Sequence, residues 1–523
     1  MRDNPTILMV VLPYMVETDS TGAKIRSYHA FPYGVLSLVS YNDANANFLV
    51  VDLNNYPDPA SYGMTIKELM KTYQPDIVGF SMMFDNSYKH LRRLLGLVKD
   101  MNCKAVTLLG GAAASYSYEE ILKDQPELDA VCFGEGELPI QDLIKYSSEW
   151  QYTLDHHYSW VTRESLGNRR PVKPSFVYNL NDVIDLAYGY VDVDAYKMKQ
   201  AFSPFIDNQN KRQFFLMTSR GCPFQCTFCS NSMIHGKQVR QASIYNIMDH
   251  VGYLVHHYGM EVLTIYDDQI LLDTDRAKDL FRELAKFHIR VELPNGVSVA
   301  YMDEELCFLM QEAGMDTIYL AIENGSPYVL KELIRKPLKL EQVKPVVDML
   351  RQYNFFIHGF FVMGMPGETP EHREETLDFL REIKLDWAGL NMATPVRGSA
   401  LYDRCLANGW IKKQRIEDIV DKKYIINVPG VDPAELEEEV YLMNLDVNFL
   451  HNQRMAMGDY TTALKCFEDV LQRYKDHAFA YYCMSLCKKK LYRTGNYEYG
   501  RFLSILGKSE LWRKRADILG VRI

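Results

Sequence analysis

The sequence lacks the features of several specialised protein classes. Its 523 residues contain no run of about 18 uninterrupted apolar residues, the length that a membrane-spanning helix needs. It has no basic excess, because 58 Lys and Arg stand against 68 Asp and Glu, giving a net charge of −10. Ten cysteines are too few for a disulfide scaffold. These absences argue against a membrane protein, a dedicated nucleic-acid binder and a small disulfide-stapled domain.

The remaining composition is that of a globular chain with several domains. Hydrophobic residues make up 47% and charged residues 24% of the sequence, which excludes a disordered or fibrous protein. Seven cysteines are scattered along the chain, and we interpret them as thiols of a reducing compartment, which predicts a cytoplasmic location. They are Cys103, Cys132, Cys307, Cys405, Cys466, Cys483 and Cys487.

Residues 1–150 alternate short β-rich runs with amphipathic stretches. This alternation predicts βαβ units and a doubly wound, Rossmann-like parallel sheet, whose ligands bind at the carboxyl ends of the strands. The predicted strands are Ile7–Leu12, Phe48–Leu53, Ile77–Ser81, Ala105–Leu109 and Ala130–Phe133.

Small residues stand at the carboxyl ends of three of these strands. They leave room for a large flat ligand, although tight turns that require glycine would explain them as well. The residues concerned are Ser81, then Gly110, Gly111 and Ala112, then Gly134, Glu135 and Gly136.

The rest of the chain divides into three regions. Residues 151–210 lack periodicity and are predicted to connect two domains. Residues 211–410 contain six further βα units, which predict a partial (β/α)6 barrel of the TIM type with its site at the carboxyl ends of the strands. The predicted barrel strands are Gln213–Thr218, Val262–Tyr266, Arg290–Leu293, Thr317–Ala321, Phe356–Met363 and Trp387–Ala393.

Residues 411–523 are predicted to be helical. Gly-Asp-Tyr at 458–460 and Gly-Asn-Tyr at 495–497 resemble a short tetratricopeptide-like pattern. About one and a half repeats are too few to stand alone, so these helices either cap the barrel or offer a surface to a peptide.

The other three cysteines are clustered just after the first barrel strand. Cys222, Cys226 and Cys229 have the spacing Cys-x3-Cys-x2-Cys, so three thiolates can converge on one metal centre. With His235 as a fourth ligand they would suit zinc. Without a fourth ligand they suit a [4Fe–4S] cluster that leaves one iron open.

This motif resembles the radical S-adenosylmethionine superfamily. An aromatic residue, Phe228, precedes the last cysteine, and segments at later barrel strands fit the same family. Those segments are Ile265–Asp268, Ala321–Ser326, Gly359–Thr369 and Thr394–Ser399. The family's usual Gly-Gly-Glu after the second strand is replaced by Tyr266-Asp267-Asp268.

The resemblance implies that the three cysteines hold a [4Fe–4S] cluster whose fourth iron is chelated by S-adenosylmethionine. It also implies a one-electron donor such as flavodoxin or ferredoxin, and Arg220 is a candidate for holding the cluster loop by charge. The residues that it implies for S-adenosylmethionine binding are Phe228, Asp268, Glu323, Gly364, Gly367 and Pro395.

The N-terminal region resembles the cobalamin-binding domain of cobalamin-dependent radical enzymes. The resemblance assigns cobalamin to Ser81, Gly110, Gly111, Ala112, Gly134, Glu135 and Gly136. The signature Asp-x-His-x-x-Gly, which places a histidine on cobalt, is absent. We therefore expect cobalamin to bind without a protein imidazole and with its own base displaced into the sheet domain, His29 being the first residue to test otherwise.

The two resemblances together imply a cobalamin-dependent methyltransferase acting on an unactivated centre of a small-molecule or peptide substrate. Three alternatives remain open at this point. The same cofactors could drive a radical cyclisation, rearrangement or oxidation; the sheet domain could have lost cobalamin; or the chain could be a non-enzymatic metal-binding scaffold. The sequence identifies neither the substrate nor an acid–base residue.

Overall fold

The computed structural model describes residues 4–14, 16–18, 24–27, 31–56, 58–196, 211–412, 416 and 424–521. The N-terminal region contains a parallel sheet, as predicted, and a short antiparallel hairpin. Its strands are β1 (Thr6–Val11), β2 (Val16–Thr18), β3 (Lys24–Ser27), β4 (Asn47–Asp52), β5 (Ile77–Ser81), β6 (Val106–Gly110), β7 (Ala130–Cys132) and β8 (Trp160–Val161).

The main sheet has the strand order β4-β1-β5-β6-β7-β8. All neighbours are parallel except β8, which runs antiparallel to β7 although it lies within the predicted connecting segment. The register aligns Val11 with Ser81 and Ser81 with Gly110, so three strand ends lie side by side. This edge of the sheet is where a ligand of a doubly wound fold binds.

Helices cover both faces of this sheet, which explains why its strands read as unbroken apolar runs. In β1, Leu8 and Val10 pack in one core while Ile7 and Met9 pack in the core on the opposite face. The helices are α1 (Tyr33–Asn42), α2 (Pro59–Tyr73), α3 (Tyr88–Met101), α4 (Ala112–Asp124), α5 (Glu137–Lys145), α6 (Trp150–His156) and α7 (Arg163–Gly167).

The second region is a partial barrel of six parallel strands, which confirms the predicted fold class. Two three-stranded sheets, β9-β12-β13 and β14-β15-β16, are joined by a parallel bridge between Val297 and Leu320. The strands here are β9 (Gln213–Leu216), β10 (Ser219–Arg220), β11 (Arg240–Gln241), β12 (Val262–Ile265), β13 (Arg290–Glu292), β14 (Thr317–Glu323), β15 (Phe356–Met363) and β16 (Trp387–Met392).

Helices follow the barrel strands and bury their apolar faces against the largest core of the molecule. A single wide helical turn, Val329–Ile334, follows β14. The barrel helices are α8 (Asn231–His235), α9 (Ile244–Tyr258), α10 (Thr274–Leu284), α11 (Glu304–Glu312), α12 (Val343–Gln352), α13 (Pro370–Ile383) and α14 (Ala400–Ala407).

The C-terminal region is helical, as predicted, and packs on the last barrel strand. The Asn448 amide exchanges two hydrogen bonds with the backbone of Ala388 in β16, and Arg454 bonds the buried carboxylate of Asp386. The tetratricopeptide-like character stays a prediction. These helices are α15 (Pro433–Leu445), α16 (Gln453–Ala456), α17 (Tyr460–Arg473), α18 (Ala478–Tyr492), α19 (Asn496–Lys508) and α20 (Glu510–Ile518).

Across the part of the chain that the structure describes, none of the helices combines the length and apolar character needed to cross a membrane.

Candidate active site

A cavity of about 450 Å³ lies between the carboxyl edge of the sheet and the mouth of the barrel. On the barrel side it is lined by Phe215, Met217, Tyr266, Asp268 and Asn295. On the sheet side it is lined by all seven residues that the sequence assigned to a large flat ligand, namely Ser81, Gly110, Gly111, Ala112, Gly134, Glu135 and Gly136.

The cavity continues as an apolar slot along one face of the sheet, lined by Met9, Gly79, Leu108, Cys132 and Ile140. A Cβ at Gly79 would lie 2.9 Å from the Met9 sulfur, so a larger residue here would have to displace the Met9 side chain within the slot. The sequence analysis missed Gly79 as a site residue. The signal was a glycine inside a central strand, which marks a close approach of a ligand or of another backbone.

The two glycines at the end of β6 are explained by different physical constraints. Gly111 has φ +104°, and a Cβ there would lie 2.4 Å from the Met82 carbonyl oxygen, so the turn itself demands glycine. A Cβ at Gly110 would meet only the Cβ of Cys132, at 3.7 Å, an ordinary contact. Of the two explanations, the tight turn therefore applies to Gly111, whereas open space for a ligand applies to Gly110.

The three-cysteine loop is held at the barrel mouth by hydrogen bonds from several elements. Cys222 donates its N–H to the Gly236 carbonyl (3.2 Å), and Gly221 donates to a carboxylate oxygen of Asp268 (3.0 Å). Thr227 donates its N–H and its hydroxyl to the turn Val329–Ile334, at 2.9 and 2.6 Å. All ten cysteines of the chain are free thiols, so this loop is not closed by a disulfide.

Charged side chains surround the three thiols. Burial raises the pKa of the Cys226 thiol to about 12, a rise that the Lys336 ammonium opposes and the Glu323 carboxylate reinforces. Lys336 and Glu323 form an ion pair at 3.1 Å, both side chains being about one-tenth exposed. The sequence analysis predicted Glu323 but missed Lys336, because a lysine two residues beyond a helical turn carries no signal of its own.

The side-chain arrangement does not suit the zinc alternative. Nδ1 of His235 contacts Oε1 of Glu135 at 2.9 Å. Nowhere in the described residues do three Cys, His, Asp or Glu side chains converge on one point as the ligands of a single ion must. In a four-iron cluster each thiolate binds a separate iron, so the three thiols need not converge on a single ion.

The remaining residues predicted for S-adenosylmethionine are distributed around the barrel. Phe228 packs half-buried against the barrel core, and Pro395 is buried. Gly364 and Gly367 have φ +80° and +98° and form a tight turn, in which Glu368 accepts the Gly364 N–H at 2.8 Å. Whether these residues contact the cofactor stays a prediction.

A buried ionic network joins the sheet domain to the cluster loop. Arg220, which precedes the loop by one residue, bonds Glu137 at 2.8 Å and lies 3.4 Å from Glu135. Arg240 bonds both carboxylate oxygens of Glu135, at 2.6 and 2.9 Å. The four side chains are no more than 4% exposed. The glutamates that follow β7 therefore fix the barrel against the sheet while they line the cavity.

Together these features place a loop with three free thiols at the mouth of the barrel and a cavity lined by small residues at the edge of the sheet. Two family models match the chain: the radical SAM superfamily at residues 216–380 and the B12-binding domain at residues 25–144.

Curated relatives agree with these matches. The chain is 32% identical over 419 residues to cytidylyl-2-hydroxyethylphosphonate methyltransferase of Streptomyces wedmorensis, covering 74% of this chain and 78% of the relative. It is 26% identical to an uncharacterized methyltransferase of Pyrococcus horikoshii, covering 80% and 89%.

Two solved structures share the fold. The cobalamin-dependent S-adenosylmethionine radical enzyme OxsB, with aqua-cobalamin and S-adenosylmethionine bound, matches with a TM-score of 0.68 at 15% identity, covering 99% of this chain and 80% of that one. The methyltransferase TsrM of Kitasatospora setae matches with 0.59 at 17% identity, covering 77% and 76%.

The chain belongs to the cobalamin-dependent radical S-adenosylmethionine enzymes. Its cofactors are a [4Fe–4S] cluster, S-adenosylmethionine and cobalamin. The alternatives of a metal-binding scaffold and of a chain that has lost cobalamin are therefore wrong.

The buried network predicts a defined pH dependence of stability. Burial opposes ionisation of Glu135, but hydrogen bonds from Arg240 and His235 and the charge of Arg220 outweigh it and lower its pKa from 4.5 to about 2. The carboxylate therefore contributes about 3 kcal/mol to stability above pH 4.5, which is lost as the pH falls towards 2. In urea denaturation, Glu135→Gln should be less stable than the wild type at pH 7, and the difference should shrink below pH 4.5.

The matched control is Glu283→Gln, which removes one partner of an exposed pair with Lys286. Its stability should stay within about 0.5 kcal/mol of the wild type. A difference between Glu135→Gln and the wild type that did not change between pH 7 and pH 3.5 would contradict the role of the carboxylate charge.

Proposed function

We propose that the chain transfers a methyl group from S-adenosylmethionine to an unactivated centre of a small-molecule or peptide substrate. When bound, the cluster and S-adenosylmethionine supply a radical that removes a hydrogen atom from the substrate, and cobalamin supplies the methyl group. The observation that carries this proposal is the single cavity shared by the strand ends of the sheet and the mouth of the barrel. A substrate there would lie between the two cofactors.

Cys222, Cys226 and Cys229 would hold three irons of the cluster. Thr227 and Gly221 fix the loop through backbone hydrogen bonds to neighbouring elements, so the thiols are positioned before the cluster assembles. Because burial raises the thiol pKa of Cys222 and Cys226, bound iron is needed to keep these groups ionised.

The pair Lys336–Glu323 would receive the amino-acid end of S-adenosylmethionine. That end carries an ammonium and a carboxylate, and the pair offers one side chain of each sign beside the thiols. Glu323 is held with φ +75°, an unusual conformation for a glutamate at the end of a strand. Asp268 is the other acid at the loop, but its two oxygens accept from Gly221 and Asn231, so we assign it to loop positioning.

Cobalamin would lie on the seven strand-end residues, with its own base in the apolar slot beside Gly79. Among the described residues that line the cavity, His235 is the single histidine, and its Nδ1 faces Glu135. These observations support binding without an imidazole on cobalt. His29 lies outside the described residues.

An external protein would supply the electrons, because protein side chains do not reduce an iron–sulfur cluster or cobalamin. We propose flavodoxin or ferredoxin as this partner, and a cytoplasmic location, because ten free thiols and an iron–sulfur cluster require a reducing compartment.

Anaerobic reconstitution tests the proposed function. With iron, sulfide, cobalamin, a chemical reductant and S-adenosylmethionine carrying a deuterated methyl group, the enzyme should form 5′-deoxyadenosine and S-adenosylhomocysteine. Mass spectrometry against candidate metabolites and peptides should then find a product that carries the label. Turnover of a substrate without incorporation of label would favour the radical cyclisation or oxidation instead.

Cysteine variants supply the controls for this experiment. Cys222→Ala, Cys226→Ala and Cys229→Ala should each lose the cluster absorbance and the 5′-deoxyadenosine, because two thiolates do not hold an open-site cluster. Cys103→Ala, which removes an exposed thiol elsewhere, should retain both.

We expect Lys336→Met to weaken S-adenosylmethionine binding roughly ten- to a hundredfold, the equivalent of one lost charge-assisted hydrogen bond. The measurement is an equilibrium Kd on the reconstituted enzyme. Lys336→Arg should recover part of the loss, and Lys344→Met, which removes an exposed lysine paired with Asp348, should leave Kd unchanged. An unchanged Kd in Lys336→Met would remove Lys336 from the cofactor site.

Gly110→Val should reduce cobalamin content at least tenfold while iron and sulfide content stays at the wild-type value. The valine side chain would enter the cavity, whereas the cluster assembles on a separate domain. Gly111→Val is not a clean test, because its Cβ strikes the Met82 carbonyl whether or not cobalamin binds. The control is Gly96→Val in α3, where a Cβ meets nothing within 4 Å.

If Gly110→Val kept a full complement of cobalamin, the corrin would have to lie elsewhere. Equal loss of both cofactors would indicate that the variant does not fold.

A further inference from the structure

The proposed reaction consumes single electrons, so a donor protein must approach the cluster loop from some side. We propose that Lys331, Arg335 and Lys339 form the docking surface for an acidic one-electron donor of the flavodoxin class. This inference rests on the proposed function. In each encounter the donor loses one electron and the cluster gains it, passing from the 2+ to the 1+ state, and no atom is exchanged.

The segment 331–339 lies directly against the cluster loop. Thr227, the residue after Cys226, donates its N–H to the carbonyl of Ile334 at 2.9 Å and its hydroxyl to the carbonyl of Leu333 at 2.6 Å. An electron that reaches the backbone of this segment is therefore one hydrogen bond from the residue that neighbours a cluster ligand.

The segment has an apolar inner side and a cationic outer side. Val329, Leu333 and Ile334 are buried in the barrel core. Lys331, Arg335 and Lys339 follow one another at intervals of four residues and are all exposed, the Lys331 side chain to 83%. The cations thus project away from the core that anchors their backbone.

The charge of this segment is opposite to that of the whole chain. Residues 331–339 contain four Lys and Arg against one Glu, and one of the four, Lys336, is paired with Glu323, whereas the chain carries −10. Lys331 has a partner in Glu332 at 3.4 Å, but no ion pair links Arg335 or Lys339 to any residue in the described ranges. A basic patch on an acidic protein steers an acidic partner to one place and repels it elsewhere.

Other elements contact the cluster loop on further sides. On the cavity side, Tyr116 of α4 donates to the Ser230 carbonyl at 3.3 Å, and the ionic network holds the sheet domain in place. Leu401 at the start of α14 donates its N–H to the Thr227 carbonyl at 2.8 Å. The segment 331–339 combines closeness to the loop with three exposed cations.

Charge reversal with two reductants tests this surface. The variant Lys331→Glu/Arg335→Glu/Lys339→Glu is compared with the wild type, both reconstituted, in stopped-flow reduction of the cluster followed by its absorbance. With photoreduced flavodoxin, the second-order rate constant of the variant should fall at least tenfold, and the flavodoxin Kd should rise by a similar factor. Raising the salt concentration should slow the wild type but scarcely affect the variant.

Reduction by titanium(III) citrate should be equal in the two proteins, because a small reductant needs no docking surface. The matched control Lys475→Glu/Lys490→Glu/Lys508→Glu changes the net charge by the same amount on exposed C-terminal residues, and should keep the wild-type rate with flavodoxin.

Three results would overturn the proposal: an unchanged rate in the charge-reversed variant, an equal loss in the control, or a change of oligomeric state with no change in flavodoxin binding. The last would show that the patch binds a second copy of the chain. Failure of the wild type to methylate any substrate would count against the proposed function alone, since the docking surface is judged on binding and cluster reduction.

Discussion

The arrangement of the active site depends on one buried ionic network between two domains. Glu135 and Glu137 follow a strand of the sheet, and Arg220 and Arg240 flank the cluster loop of the barrel. Burying four charges costs several kcal/mol per ion unless each is fully paired, so the network tolerates only the geometry in which every partner is in reach. That geometry sets the spacing between the strand ends that line the cavity and the loop that carries the three cysteines.

The same residues show which structural features can be predicted from the sequence and which cannot. Local patterns predicted the strands and the cysteine loop, because a buried strand and a three-cysteine motif are each encoded within a few residues. They also predicted that Glu135 lines the cavity. They could not show that its carboxylate binds Arg240, since the two lie 105 positions apart and only the folded chain brings them together. Lys336 was missed because its neighbours in sequence carry no signal, whereas the slot beside Gly79 was missed although a glycine inside a central strand marks it.

The turn after β15 shows a second kind of limit. Its glycines match a family segment, which predicts contact with S-adenosylmethionine. In the structure, a Cβ at Gly364 would approach Leu436 and Tyr424 of the C-terminal region to 3.1 Å, and Tyr424 donates its hydroxyl to the Gly364 carbonyl. A motif therefore identifies the shape of a turn, while the surfaces that the turn contacts depend on a region outside the motif.

The cluster loop is anchored at two places, one on the cavity side and one on the side of the exposed cations. Arg220 ties its start to the sheet domain on the cavity side, where cobalamin and substrate must enter. Thr227 ties its middle to the turn Val329–Ile334 on the outer side, where the exposed cations lie. A loop held at both places moves little when either side is occupied. An electron donor that docks on the outer side, as proposed, would bind and leave without opening the cavity, in which a radical must be kept from solvent.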